Sequence, residues 1–321
     1  MQRLALAILL ALSPLAGRAY AQPFPDRPIT LVNPYAAGGP ADLLARTVAD
    51  GMSEVLGRPV VVDNRPGAGT AIGARAVAQA KPDGYTLFIG GSPSHVITPA
   101  LMKDAGYDGI ASFAPIATVA DVPNVLIVPP SRPYKSVPEL VAAARKAPGT
   151  MTFATVGVGS IPQFLGILLQ LRADLNLIEV PYKGGAPAAT DLMGGQVDLA
   201  FLNVPAVLSQ VQGGQLRALA VASATRAKAL PDTPTMAEVG YPDFAMSTWY
   251  GISAPAGTSR DIVGKLHAAI AQTLNTPKMR DKIESQGAQV FLKNPEEYAA
   301  YLQADAKLML ELIKLANMPA N

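Results

Sequence analysis

Ile29-Thr-Leu-Val-Asn-Pro-Tyr-Ala-Ala-Gly-Gly-Pro-Ala-Asp42 reads as a short buried strand, a turn almost bare of side chains, and the start of a helix. Ile29 to Val32 supply the apolar run of a covered strand. From Pro40 onward, Leu43, Leu44, Val48, Met52 and Val55 recur at helical spacing. Pro40 suits the first helical position, where a missing N–H costs nothing. Asp42 falls in the first turn, where a carboxylate favours the helix dipole and can cap free N–H groups. Between strand and helix, Ala36-Ala37-Gly38-Gly39 leaves the backbone open to close approach. Unpaired amides at a helix start form an anion site, so a small carboxylate is expected to dock on this loop. A plain tight turn would carry the same glycines. Recurrence of the arrangement along the chain favours the binding reading.

Outward from this stretch, Gly57 is a C-cap, Pro59 to Asn64 a strand, and Arg65 to Thr70 a second glycine turn before an Ala-rich helix from Ala71 to Ala80. Lys81-Pro-Asp-Gly84 is a turn, and the strand Tyr85 to Gly90 runs into Gly91-Ser-Pro-Ser94. Strand, helix, strand, helix, strand predicts a parallel sheet covered by helices. An extended, proline-rich stretch from Ala114 to Pro129 places a domain crossover near Asp121. A second βαβ unit follows the same logic. Ser136-Val-Pro-Glu139 caps a helix to Ala147, and Met151 to Thr155 is a strand. Val156-Gly-Val-Gly-Ser160 is a glycine loop before a helix from Pro162 to Leu171. Further strands are expected at Asn176 to Tyr182, Val197 to Leu202 and Leu216 to Ala222, with Lys183-Gly-Gly-Ala-Pro187 opening another helix. The chain crosses back between Ser247 and Gly251. An amphipathic helix spans Ser259 to Leu274, and Asn294-Pro-Glu-Glu297 starts a long last helix to Ala316, both expected to pack on the first lobe. The predicted organisation is two α/β lobes joined by two crossovers, lobe 1 being residues 22–121 and 250–321 and lobe 2 residues 122–249. Ligands of open α/β sheets bind beyond the carboxyl ends of strands, which places the site in the cleft between the lobes.

Residues 1–21 carry the pattern of a secretory leader: Arg3, an apolar run from Leu4 to Leu12, and Ala19-Tyr20-Ala21 as a cleavage site. The expected product is an exported protein. The whole chain has a formal net charge of +2, and the leader holds Arg3 and Arg18 with no acid, so the remainder is neutral. A neutral chain gives no reason to expect nucleic acid as a partner. With no cysteine, disulfides and thiolate chemistry are excluded.

Two histidines and no cysteine leave no metal cluster of usual spacing, and no metal is expected. His267 lies within an amphipathic helix; His95 follows a strand end near the expected cleft. Gly90-Gly-Ser92-Pro-Ser94 lacks the last glycine of a hydrolase elbow. Hydrolysis by Ser160, paired with His95, or by Ser92 is the rival enzymatic reading. Gly67-x-Gly69 with Gly73 imitates a dinucleotide fingerprint, but no acid for a ribose hydroxyl ends the next strand, so no cofactor is expected. No catalytic residue is assigned.

Several segments resemble the Bug/TctC family, the extracytoplasmic solute receptors of tripartite tricarboxylate transport systems. They are Pro34 to Asp42, Val62-Asp-Asn-Arg-Pro-Gly-Ala-Gly69, Pro82-Asp-Gly-Tyr-Thr-Leu87, Val180-Pro-Tyr-Lys-Gly-Gly-Ala-Pro187, Leu216-Arg-Ala-Leu-Ala220, Leu230-Pro-Asp-Thr-Pro-Thr235 and Trp249-Tyr-Gly251. The resemblance implies an α/β, type II periplasmic binding protein fold with a hinged cleft. It implies a small organic carboxylate as ligand, a periplasmic location, and a monomer that meets membrane permease subunits or a membrane sensor. One carboxylate would sit on the loop of Tyr35, Ala37, Gly38 and Gly39, with Asp42 of the first helix turn among the binding residues. Thr70 and Ser92 would line the same lobe; Thr155, Gly159 and Ser160 would face them, with Asn203 near the far end. A Phe is frequent in the family where Tyr35 stands, and Val158 replaces a commoner polar residue.

Overall fold

The computed structural model describes residues 24–242, 244–316 and 318, so the expected leader lies outside the described residues. Among the described residues eleven strands occur in chain order: β1 (Ile29–Asn33), β2 (Val60–Asn64), β3 (Thr86–Gly90), β4 (Phe113–Val122), β5 (Asn124–Val128), β6 (Thr152–Thr155), β7 (Ile178–Pro181), β8 (Leu199–Asn203), β9 (Arg217–Val221), β10 (Thr248–Pro255) and β11 (Gln289–Val290). They form two sheets, one in the order β11-β4-β10-β3-β1-β2 and the other β7-β6-β8-β5-β9. β1 runs parallel to β2 and β3, as its strand–helix–strand connections require, and β6 runs parallel to β7 and β8. Each sheet also takes in antiparallel strands, β10 beside β3 and β4, and β5 beside β8 and β9. The chain passes from the first sheet to the second at Pro123, the single residue between β4 and β5, and returns at the start of β10.

Helix starts follow the local chemistry. The helix Pro40–Leu56 has proline at its first position and ends on Gly57 in the left-handed conformation. The last helix, Pro295–Leu315, opens with a complete capping box: Asn294 accepts from the Glu297 amide while Glu297 accepts from the Asn294 amide. At Ser136 the box is displaced by one residue, the Glu139 carboxylate reaching the Lys135 amide instead.

The apolar residues of the first sheet, among them Ile29, Leu31, Leu87 and Ile252, pack against Val48 and Met52 of the first helix and Leu266 and Ile270 of the helix Arg260–Leu274. In the second sheet the strand period of two separates two cores: Val125 and Ile127 join one, Leu126 and Val128 the other. Burying an aliphatic side chain fully contributes about 1.5–3 kcal/mol, which makes these faces the main source of stability.

The structure corrects three expectations. The segment expected only as a return crossing is an eight-residue strand, β10, buried throughout and central in the first sheet. It has no apolar alternation because both faces are covered; Gly251 leaves the space that the Tyr298 ring fills, a Cβ there standing 2.5 Å from the ring. The last helix does not pack on the first lobe alone: Tyr298, Leu302, Met309 and Leu312 belong to a cluster that runs on into Phe153, Phe164 and Phe201 of the second sheet. Short helices at Thr98–Leu101, Val204–Gln212 and Pro277–Ser285, and the π-turn Pro93–Ile97, stand where no element was expected. Brief stretches interrupted by proline give no periodic signal.

Candidate functional site

Four helices start at or shortly after the carboxyl ends of β1, β6, β7 and β8, and residues of their first turns line one cavity of about 670 Å3 between the sheets. On the first-sheet side the wall is residues 35–41. Gly38 sits at φ +82, which a side chain would strain, and Gly39 is extended at the helix N-cap with no side chain to satisfy the amides beyond it. Among the described residues the amides of Ala36, Ala37 and Gly39 have no internal partner. The Gly38 amide is taken: it donates to Asp42 Oδ2 at 2.9 Å. Asp42 also accepts from Arg46 Nε at 3.0 Å and from Asn64 Nδ2 at 2.9 Å, and Asn64 donates in turn to the Tyr35 carbonyl at 3.1 Å. Burial alone would raise the Asp42 pKa. The Arg46 hydrogen bond, the Gly38 amide, Asn64 and the Arg46 charge outweigh it and hold the carboxyl below its usual value. Tyr35 packs edge-on against Tyr250, centroids 6.1 Å apart. Burial first, then the neighbouring Tyr250 and Tyr107, raise its phenol well above the ordinary range.

The opposite wall is built by the second sheet. Ser160 caps the helix Ile161–Ala173, accepting from the Gln163 amide and donating to the Gly157 carbonyl at 2.8 Å. Gly157 and Gly159 take positive φ in the loop before it. A Cβ on Gly159 would stand 2.8 Å from Ile97, so this loop touches the segment that follows β3. The helix Gly185–Met193 begins after Gly184, at φ +128, with no side-chain cap. The helix Val204–Gln212 begins at Asn203, whose side chain does not cap it either.

Asn203 turns to the junction between the sheets. Its Nδ2 donates to Asn124 Oδ1 and Thr248 Oγ1, each at 3.1 Å, and Asn124 Nδ2 donates to Thr248 Oγ1 at 3.2 Å. Asn124 opens β5 and Thr248 opens β10, so this trio joins both crossings at the cavity floor. The Thr248 hydroxyl accepts twice, which leaves its own proton free for an acceptor in the cavity.

The electrostatics have one sign. No Asp or Glu lines the cavity, and Lys183 is its one fully charged side chain. Four helix N-termini add partial positive charge, so the cavity favours an anion.

Of the residues expected at the site, Tyr35, Ala37, Gly38, Gly39, Ser160 and Asn203 line the cavity and are brought together. Five are not on its wall. Asp42 lies buried behind the first loop. Thr70, at φ +88, is buried with its hydroxyl 3.5 Å from that of Thr98. Ser92 is buried beneath the surface next to Asp305. The Thr155 hydroxyl donates to Glu179 at 2.9 Å. The Gly159 amide is occupied by Gln163 Oε1 at 2.8 Å. Sequence reasoning missed Thr248 and Tyr250 on the floor and did not assign residues 183–187 to the wall. The Gly184-Gly185 pair between strand and helix repeats the Gly38-Gly39 arrangement and was the signal for the latter.

His95 is not paired with Ser160. It is buried among Phe88, Phe113 and Trp249, its Nδ1 2.6 Å from the Gly109 carbonyl. Burial, partly offset by that hydrogen bond, lowers its pKa to about 4. The ring is therefore neutral, and its Nδ1–H donates to the Gly109 carbonyl. Among the described residues no group of three or more His, Asp or Glu side chains is gathered as a metal site needs, and no helix is long and apolar enough to cross a membrane.

Residues 44–318 match the family model described as TctC, tripartite tricarboxylate transporter family receptor. BugT of Bordetella pertussis is 37% identical over 298 residues, covering 92% of this chain and 91% of that one. Among solved structures, the periplasmic binding protein BugD superposes with a TM-score of 0.80 at 38% identity, over 92% of this chain and 99% of that one. A Rhodopseudomonas palustris protein solved with adipate gives a TM-score of 0.83 at 34% identity, over 92% and 98%. MatC from the same organism, solved with bound malate, gives 0.79 at 31%, over 90% and 100%. The two-sheet α/β architecture is that of the periplasmic binding proteins.

Proposed function

We propose, since this chain belongs to the TctC family of tripartite tricarboxylate transporter receptors, that it captures a small organic carboxylate in the cleft between its sheets and presents it to membrane permease subunits. The observation that carries this reading is the convergence of four helix starts on a cavity with no acidic side chain. One carboxylate rests on the unpartnered amides of Ala36, Ala37 and Gly39, with Ser160, Asn203 and Thr248 supplying polar contacts from the other wall and the floor. Asp42, Thr70, Ser92, Thr155 and Gly159 support these walls from behind. Adipate and malate, bound in the two structural relatives, are acids of the size and charge that suit the cavity. The protein works in the periplasm as a monomer of two lobes, residues 22–121 with 250–321 and residues 122–249, the last helix packing against both, that close on the ligand about the Asn124–Asn203–Thr248 junction.

Each hydrogen bond to a charged group contributes about 1.5–3 kcal/mol. Three or four of them, less the costs of association and ordering, are consistent with low-micromolar binding, about −8 kcal/mol. Thermal-shift screening against mono-, di- and tricarboxylates tests the reading. Stabilisation by one or more acids is expected, and a flat response to the whole panel would refute it.

A further inference from the structure

Lys183 stands on the cavity wall without a partner. Arg46, Arg132, Arg226 and Lys228 each hold a carboxylate, and Arg217 is bound to backbone carbonyls. Lys183 makes no ion pair or hydrogen bond among the described residues, and no acid shares the cavity with it. Its backbone is fixed on both sides. The preceding Tyr182 amide donates to the Thr155 carbonyl at 2.8 Å, and the following Gly184, at φ +128, turns the chain into the helix Gly185–Met193. No side chain caps that nine-residue helix, and its first residues line the cavity beside the lysine. An ammonium and an uncapped helix start therefore face the same space as the Ala36–Gly39 loop on the other wall, giving the cavity two separate places for negative charge.

We propose that Lys183 receives the second carboxylate of a dianionic ligand whose first carboxylate lies on the Ala36–Gly39 loop, and that this lysine sets the preference for dicarboxylates over monocarboxylates. The inference rests on the carboxylate-receptor reading above and adds the residue that reads the far end. A lysine is a compact charge on a flexible stem. It can follow the second carboxylate over a range of chain lengths, so the site demands two charges more strictly than it demands one length. The lysine is exposed at the cleft, so its contribution is weakened by salt.

Calorimetric titration of the whole mature protein with succinate, adipate and the monoamide of each tests this. Wild type is expected to prefer a diacid over its monoamide by about two- to fivefold, the strength of one exposed ion pair. The preference shrinks as sodium chloride is raised. Lys183→Gln is expected to bind the diacid and its monoamide alike, with little salt dependence of their ratio. Lys183→Arg keeps the preference. Thermal unfolding of each variant checks the fold, which an exposed side chain without partners does not hold together. A Lys183→Gln protein that still prefers the diacid overturns the assignment while leaving the receptor reading intact. A wild-type protein that binds neither these acids nor any other carboxylate overturns both.

Discussion

Asp42→Ala removes a side chain that does not line the cavity and yet is expected to weaken ligand binding, because it sets the shape of the loop that does. The carboxylate holds the Gly38 amide at 2.9 Å, Asn64 at 2.9 Å and Arg46 at 3.0 Å. A hydrogen bond to a charged acceptor contributes about 1.5–3 kcal/mol. Gly38 is exposed and Arg46 half-exposed, so water replaces much of what those two lose. Asn64 also carries the Tyr35 carbonyl, and its release frees the loop from β2. The net cost to stability is about 2–3 kcal/mol, with a fall in thermal midpoint of roughly 5 °C or more for a chain of this size.

The informative control is Asp42→Asn. It keeps the volume but offers one acceptor oxygen, and turns an N–H2 group toward an amide, a guanidinium or another N–H2, each of them a donor. Asn is therefore expected to behave nearly as badly as Ala in thermal unfolding and in titration with adipate. The pH dependence has a definite sign. A carboxyl whose folded pKa is depressed contributes stability above its unfolded value, near 4, and that contribution is lost as pH falls through the folded value. The gap between wild type and Asp42→Ala thus closes on acidification below about pH 4. An Asp42→Asn protein equal to wild type in both midpoint and adipate affinity would refute the reasoning, since packing alone would then explain the residue.

Asp305 gives the opposite dependence. Burial pushes its carboxyl up to about 6, against the pull of Ser92 and Trp249 beside it. The unfolded chain loses this proton first, so rising pH between about 4 and 6 costs the folded state up to about 3 kcal/mol. Asp305→Asn should flatten that part of the midpoint-against-pH curve, and an unchanged slope would count against it. Thr248→Val takes the shared acceptor from Asn124 and Asn203 at the junction of the two crossings. Leaving buried donors unmet costs about 1–3 kcal/mol, read by urea unfolding, together with weaker adipate binding; a silent substitution would remove the trio from the hinge.

What could be read from the chain was what local chemistry determines. β1, the helix from Pro40, its Gly57 end and the Asn294 cap each depend on residues within a few positions of one another, and the structure places them as expected. β10 could not be read that way. Its covered faces depend on Tyr298, 47 positions beyond Gly251, and on two strands from earlier in the chain. The site divides along the same line. The Ala36–Gly39 loop was visible because the binding role proposed for it depends on the absence of side chains. Thr248 and Tyr250 were not, because only the return of β10 between β3 and β4 carries them to the floor. Thr70 and Thr155 have hydroxyl groups suited to an anion, but the fold gives each a partner within the protein.

This division bears on how the two ends of the cleft can vary. At the first loop only one of the paired glycines is needed for conformation. Gly38 lies in the left-handed region, whereas Gly39 is extended at φ −82, and a Cβ on it would meet nothing closer than 3.6 Å. The backbone at position 39 therefore accommodates alanine, and in the proposed reading the bare backbone there serves the ligand. A contact made by peptide amides is fixed by the strand–helix turn and is indifferent to most substitutions around it. In the proposed reading the other end relies on the Lys183 side chain, which makes no hydrogen bond or ion pair among the described residues and can be replaced without disturbing a helix start. On that proposal a receptor can keep its grip on a carboxylate while the rest of the ligand is exchanged, because anchoring and discrimination fall to different atoms.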